Sequence, residues 1–240
     1  MSRHYNRDLA FIHDSGFADW ARNSAPFIIE QLNRASGGTE LIVDLGCGSG
    51  VLANELVKAG YSVLGIDLSK EMIHIARERV PKARFRIGSL FNSELPRCKA
   101  VVSTGECVNY QFDSSANLGL SHLFRKVFSA LEPGGLFIFD VAEPEQVKGG
   151  PTRFFTEGNG WTVLVEKDES SSILTRRIIT FRKAGKVYRR SEEVHRQQLY
   201  RSTEVTAALR EAGFTVRTFR SYGSFTLPRA HAAFVAKKLR

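Results

Sequence analysis

The 240-residue chain has little cysteine (three residues) and only two methionines and two tryptophans. Cys47, Cys98 and Cys107 are odd in number and show no C-x-x-C spacing. That argues against a disulfide framework and a structural zinc site and points to a reducing compartment. No apolar run approaches the roughly 18 residues that span a bilayer, and the polar stretch 1–8 has no apolar signal core. A cytoplasmic protein without membrane contact or a bound metal is therefore expected. There is also no G-x-x-x-x-G-K-[ST] phosphate loop, which disfavours a nucleoside triphosphatase.

Charge is present but uneven. Lys and Arg number 34 against 25 Asp and Glu, a net of +9. Residues 1–170 hold 18 basic and 21 acidic side chains, a net of −3, whereas residues 171–240 hold 16 and 4, a net of +12. Such a basic region fits a nucleic-acid surface, an acidic substrate or a solvated strand face. At 42% hydrophobic and 25% charged residues, the composition is that of a folded globular chain, and the length suits one domain.

Short apolar runs alternate with helical patterns through the first 145 residues. Strands are expected from the apolar run 41–43, and at 62–66, 83–87, 100–103 and 136–141, and helices at 51–59, 70–79 and 118–131, the last stopped by Pro133-Gly134-Gly135. This alternation implies βαβ units and a mainly parallel sheet covered on both faces. After residue 145 the pattern changes. Gly149, Gly150, Gly158 and Gly160 punctuate a loop-rich stretch, followed by long strands at 161–167, 173–182 and 186–200. The short turns at 168–172 and 183–186 permit antiparallel pairing only. Ser202 is expected to cap a helix that Gly213 ends, with strands at 214–222 and 231–237 closing the chain.

The strongest local signal is Leu41-Ile42-Val43-Asp44-Leu45-Gly46-Cys47-Gly48-Ser49-Gly50, a strand running into three alternate glycines and then a helix. Glycines at such a turn let the backbone approach a ligand and present amides to its polar end. The spacing is G-x-G-x-G; Val51 stands where a dinucleotide fingerprint needs its third glycine, which argues against a nicotinamide enzyme. Asp67 ends the next strand, 21 residues after Gly46. A carboxylate there can accept from both hydroxyls of a ribose, so the pair points to a nucleoside-containing ligand. A plain tight turn with Asp67 capping a helix is the structural alternative.

VDLGCGSG, LGIDLS with Met72 beyond it, and LEPGGLFIFD together resemble the class I S-adenosylmethionine-dependent methyltransferases. The segment AFIHDSGFADWA and the late meander make the chain similar to bacterial small-molecule members. The resemblance is specific over residues 40–141 and looser to the C-terminus. It implies an α/β, doubly wound, Rossmann-like seven-stranded sheet with an antiparallel last strand, plus an inserted antiparallel β-meander. One methyltransferase domain would then comprise an N-terminal helical lid (1–37), a cofactor-binding core (38–145), the meander (146–200) and a final helix and strands (201–240).

By the same resemblance, Gly46, Cys47, Gly48 and Gly50 would cradle the methionyl part of S-adenosylmethionine, with Asp44 near its ammonium. Asp67 would bind the ribose, and Leu68 and Met72 would lie along the adenine side. Members often place an acid after the third strand; here Ser89 or the Leu90 amide would take that contact. Gly105 and Glu106 would line the passage between cofactor and acceptor, with Asn109 and Tyr110 beyond.

Methyl transfer from a sulfonium is an in-line displacement, so the protein mainly aligns the reactants and excludes water. A hydroxyl acceptor needs a general base near neutrality. His195, in a strand polar on both faces, is the first candidate, with Tyr110 and Glu106 beside it; a solvent-exposed strand accounts for His195 equally well. His13 fits a lid or plain packing equally, His74 and His122 surface helices, and His231, at the start of the last strand, a structural role or a place at the pocket rim. Tyr5, Phe17, Trp20, Trp161 and Tyr200 could wall an acceptor site or simply pack. Arg189, Arg190, Arg196 and Arg201 could bind an acidic acceptor group or form a solvated face. The expected activity is methylation of a nitrogen or oxygen on a small molecule, with S-adenosylhomocysteine as product. The alternatives are an RNA or protein methyltransferase using the basic region, or a non-catalytic cofactor binder. Against nucleic acid, D/N-P-P-Y/F and Pro-Cys signatures are both missing.

Overall fold

The computed structural model describes residues 4–35 and 40–239. The boundary expected between residues 37 and 38 lies outside the described residues. Two helices come first, α1 (Arg7–Gly16) and α2 (Asp19–Arg34). Leu9 and Ile12 of α1, and Ala25, Ile28 and Leu32 of α2, recur at helical spacing and are buried. There follow β1 (Leu41–Leu45), α3 (Val51–Lys58), β2 (Ser62–Asp67), α4 (Lys70–Arg79), β3 (Arg84–Ile87), β4 (Cys98–Ser103), α5 (Gly119–Ala130) and β5 (Leu131–Ala142). The meander is β6 (Thr152–Gly158), β7 (Trp161–Ser170), β8 (Ile173–Ala184) and β9 (Val187–Gln198). The chain ends with α6 (Ser202–Glu211), β10 (Phe214–Phe219), β11 (Ser221–Tyr222), β12 (Phe225–Thr226) and β13 (His231–Lys238).

The main sheet has the order β10-β13-β5-β4-β1-β2-β3. Its pairings from β3 through β5 are parallel, and β13 runs antiparallel to both β5 and β10. Strand order reverses between β1 and β4, so the crevice beyond their carboxyl ends is where such a sheet takes ligands. Asp44, Asp67 and Asp140 sit at or near the carboxyl ends of β1, β2 and β5 and share that edge. The second sheet, β6-β7-β8-β9, is antiparallel throughout. Trp161, Val163 and Ile178 of this sheet form one apolar cluster with Leu9 and Ile12, which seats the meander on α1.

Several expectations need correction. Residues 149–160 are not simply loop: β6 occupies most of the stretch and closes on β7 through Asn159-Gly160 (Gly158 opposite Trp161). An Asn-Gly pair between two strands is a hairpin signal, masked here by the neighbouring glycines. Pro133-Gly134-Gly135 does not separate helix from strand; it lies within β5 at a register shift opposite Cys98 and Ala100, so that strand begins at Leu131. Ser202 is the first residue of α6 rather than its cap, its amide donating to Glu143 Oε1 at 2.9 Å. The stretch 214–222 breaks at Arg220, where the small β11–β12 hairpin begins. No helix among the described residues is long and apolar enough to cross a membrane.

Gly65 shows how tightly β2 is held. A Cβ there would lie 2.5 Å from Phe85 Cδ1 and 2.8 Å from Cys47 Sγ. Gly65→Ala is expected to destabilise the fold by about 1–3 kcal/mol through overpacking, read as a lower urea midpoint.

Candidate functional site

The glycine loop turns through left-handed backbone, with φ of 74° at Gly46, 51° at Gly48 and 77° at Gly50. The three do different work. A Cβ on Gly46 would strike Cys107 Sγ at 2.5 Å, whereas one on Gly48 would meet nothing within 4 Å. One on Gly50 would press on Ala76 of α4, with Cα at 3.2 Å. Gly48 therefore opens onto the crevice, and Gly50 allows α3 and α4 to approach; Gly50 is not among the cavity-lining residues.

Two carboxylates face this loop. Asp67 accepts from Gly48 N at 2.9 Å and Ser69 N at 2.8 Å, tying the loop to the start of α4. Burial raises its pKa, opposed by those amides. Asp44 is almost completely buried, and its Oδ2 has no hydrogen-bond partner. Burial, and then the charge of Asp67, push the Asp44 carboxyl up to about 7. Ser69 Oγ caps α4 by accepting from Met72 N at 3.2 Å and donates to the Tyr5 carbonyl at 2.9 Å, pinning the N-terminal segment to the crevice.

The crevice is a cavity of about 580 Å³, within the usual range for small-molecule sites. Asp44, Gly46, Cys47, Gly48, Asp67 and Leu68 line one part of it, with Met72, Ser89 and Leu90 alongside. Phe154, Val163, Val165, Lys167, Arg176 and Ile178 of the meander line another part. Tyr5, His13, Phe17 and Trp20 cover it from the N-terminal segment, and Tyr110 and Phe112 from the loop after β4. Burial holds the His13 imidazole down at about 4, so it is neutral at physiological pH.

Between the two parts stands Glu106, in left-handed backbone at φ 61°. Asp140 holds it there: its carboxylate accepts from Gly105 N at 3.0 Å and Glu106 N at 2.6 Å. The same carboxylate accepts from Trp20 Nε1 at 3.2 Å and Tyr222 Oη at 2.9 Å. The Glu106 side chain in turn receives Arg176 Nη2 at 2.8 Å, Gln197 Nε2 at 2.6 Å and His231 Nε2 at 2.7 Å. Burial alone would raise its pKa; Arg176, His231 and Gln197 override that and hold it well below the usual carboxylate range. His231 Nδ1 faces the Arg229 carbonyl at 2.8 Å. An oxygen acceptor faces each His231 nitrogen, which favours the imidazolium; burial opposes this, and the Glu106 carboxylate outweighs it and raises the pKa.

His195 is fully buried and is not among the cavity-lining residues. Its Nε2 donates to Glu193 Oε2 at 2.9 Å, and its ring packs against Tyr5 and Phe112, with centroids 5.0 and 4.9 Å away. Glu193 also accepts from Tyr5 N at 2.7 Å and Asn6 N at 2.9 Å. The polar strand face noted in the sequence is therefore an internal tether for the N-terminal segment. His4 approaches the same pair, with ligand atoms of His4, Glu193 and His195 within 4.8 Å of one another.

Of the two roles open to the arginines, the solvated face is the one the structure gives. Arg189 pairs with Asp8 of α1 at 2.5 Å and Arg190 with Glu192 at 2.6 Å, and neither lines the cavity; nor do Arg196 and Arg201. Lys167 and Arg176, which do, were not singled out in the sequence. Their signal was period-two alternation with Val163, Val165 and Ile178 on one face of the meander. Asp140 was visible only as the end of LEPGGLFIFD. Trp20 lines the cavity, whereas Trp161 and Tyr200 do not.

Residues 42–135 match a family described as a methyltransferase domain. A protein of Geobacillus sp. (strain WCH70), provisionally named a methyltransferase, is 29% identical over 196 residues, 75% of each chain. A solved S-adenosylmethionine-dependent methyltransferase from Clostridium acetobutylicum superposes with a TM-score of 0.82 at 21% identity, covering 97% of this chain and 98% of that one. The sugar N-methyltransferase KedS8 from Streptoalloteichus superposes with a TM-score of 0.78 at 19% identity, covering 100% of this chain and 94% of the other. The likeness therefore includes the meander as well as the main sheet.

Asp140→Ala would strand four donors, two of them buried and two half-buried, and is expected to cost on the order of 3 kcal/mol, while Tyr222→Phe, which removes one donor, should cost about 1 kcal/mol. Urea unfolding of the two variants checks this ordering.

Proposed function

We propose that this chain, a class I S-adenosylmethionine-dependent methyltransferase, methylates a nitrogen of a small molecule bound between the glycine loop and the meander. The observation that carries this reading is the cavity itself, with a buried, unpartnered carboxylate oxygen on Asp44 at one part and an apolar meander wall at the other.

The residues present fit the cofactor. Asp44 Oδ2 is an acceptor awaiting a cationic donor, as the methionyl ammonium is, and Gly48 leaves open space beside its backbone. Gly46 and Gly48 would hold the methionyl part, Asp67 the ribose hydroxyls, and Leu68, Met72, Ser89 and Leu90 the adenine side. When bound, the cofactor supplies a methyl group activated by its sulfonium. This chain's contribution is to align and to exclude water, with Tyr5, His13 and Phe17 closing the crevice from above.

The protonation states favour an amine over a hydroxyl acceptor. Glu106 is held ionised by three donors, and His231 has both nitrogens protonated. Burial raises the pKa of the Tyr5 and Tyr110 phenols, whose oxygens are 3.4 Å apart, so both stay protonated. None of these four groups is poised to take a proton from an alcohol, and the neutral His13 imidazole in the cavity wall, held down at about 4 by burial, is a weak base. A neutral amine brings its own lone pair and can lose its proton after transfer. Glu106 and Tyr110 would then orient the acceptor, and His195 would act as a positioning residue through Glu193 and Tyr5.

Calorimetry with S-adenosylmethionine and S-adenosylhomocysteine, followed by an amine and alcohol panel scored by S-adenosylhomocysteine release, tests the reading. Turnover with amines is expected. Failure of both ligands to bind would sink it, and turnover restricted to alcohols would overturn the choice of nitrogen.

Asp44 adds a pH signature. Its folded-state pKa of about 7 lies above the unfolded carboxylate value, so free protein loses stability from this group as pH rises from about 4 to 7. Binding a cation requires the ionised form. Cofactor affinity is therefore expected to rise with pH, up to about tenfold per unit, and to level off above 7. Asp44→Asn should bind more weakly and show a flat profile across pH 5–7.

A further inference from the structure

The inner face of the meander carries a charge arrangement that the fold alone does not balance. Lys167 on β7 lies directly opposite Arg176 on β8, and cross-strand partners share one face with Cβ atoms about 5 Å apart. Like charges so placed repel, and here both side chains line the cavity, Lys167 half-buried. Burial lowers the Lys167 pKa, and the adjacent Arg176 lowers it further.

The compensating charge is already committed. Glu106 gives one carboxylate oxygen to Arg176 and the other to the His231 imidazolium. Asp140 is taken up by two amides, an indole and a phenol. Among the described residues no carboxylate lies within ion-pair distance of Lys167, whose ammonium has only the Phe154 ring, 5.4 Å from its centroid. Arg176 donates from both terminal nitrogens, to Glu106 and to Tyr110 Oη, yet its Nε–H is buried without an acceptor. A buried donor without a partner is costly, and Lys167 beside the Arg176 guanidinium that carries this donor makes the spot favourable for an anion.

We infer that Lys167 and Arg176 form an anion-recognition site for the methyl acceptor, which is an amphiphilic small molecule bearing a carboxylate or phosphate group. Its apolar body would lie along Val163, Val165 and Ile178, and its anionic group between the Lys167 ammonium and Arg176 Nε. Arg176, anchored by Glu106 and Tyr110, presents a fixed donor, and Lys167 adds charge that can follow either anion. The inference rests on the methyl-transfer reading above and names the class of acceptor for it. It also relocates the acidic-acceptor expectation from Arg189 and Arg190, which are paired on the outside, to two residues inside the cavity.

The test uses full-length protein saturated with S-adenosylhomocysteine and titrated separately with inorganic phosphate and with benzoate, followed by calorimetry. One of the two is expected to bind, phosphate indicating a phosphorylated acceptor and benzoate a carboxylic acid. Lys167→Met should raise that Kd at least tenfold, and Lys167→Arg should restore it to within about threefold. The Kd for S-adenosylhomocysteine should stay unchanged in both variants, since Lys167 lies on the meander, and neither variant should lower the melting temperature, since Lys167→Met relieves the repulsion from Arg176. If neither anion binds, or if Lys167→Met binds as well as the unaltered protein while S-adenosylhomocysteine binds normally, the anion site is wrong and the methyl-transfer reading stands. If S-adenosylhomocysteine itself does not bind, the methyl-transfer reading fails and takes the anion site with it.

Discussion

The Glu106 carboxylate is where the two sheets are joined. It stands on the loop after β4, is held from below by Asp140 of β5, and receives Arg176 from β8, Gln197 from β9 and His231 from β13. Burying a carboxylate costs several kcal/mol unless its oxygens are satisfied, and here three donors from three strands meet that need. Removing any one partner would leave the others uncompensated. The position of the meander over the crevice, and with it the shape of the cavity, depends on this buried ionic network together with the apolar cluster that seats the meander on α1. The left-handed backbone at Glu106 is part of the same arrangement, since the two amides that grip Asp140 are those of Gly105 and Glu106.

The glycine-loop part of the cavity obeys a different electrostatic logic. Asp44 and Asp67 lie close enough for the charge of one to raise the pKa of the other, and only Asp67 has amides to stabilise it. The result is one settled carboxylate and one that is half-protonated near neutrality. Two acids thus line one part of the cavity, whereas two basic side chains, Lys167 and Arg176, line another.

Local chemistry made much of the main sheet legible. Alternate glycines after an apolar strand, an acid at the end of the next strand, and helical spacing at Leu120, Leu123, Phe124 and Val127 all act over a few residues, and these elements stand where the pattern put them. The meander was legible as strands but not as a site. Period two separates its faces without saying which one is inside. That choice is made by docking on Leu9 and Ile12 of α1, far away in the sequence. Hence Arg189 and Arg190, adjacent in the chain and conspicuous, face outward to Asp8 and Glu192, while Lys167 and Arg176 face the cavity. His195 was conspicuous for the same reason, and its burial against Glu193 follows from the segment at Tyr5 and Asn6 folding onto β9.

The sequence by itself determined the alternation of strands and helices, the glycine turn with its two nearby acids, and the presence of a late antiparallel insert, because propensity, periodicity and turn chemistry are short-range. Only the tertiary structure decided which charges are balanced and which are left over. Ion pairing and desolvation depend on groups brought together from residues 106, 140, 176, 197 and 231, and no spacing along the chain encodes that meeting.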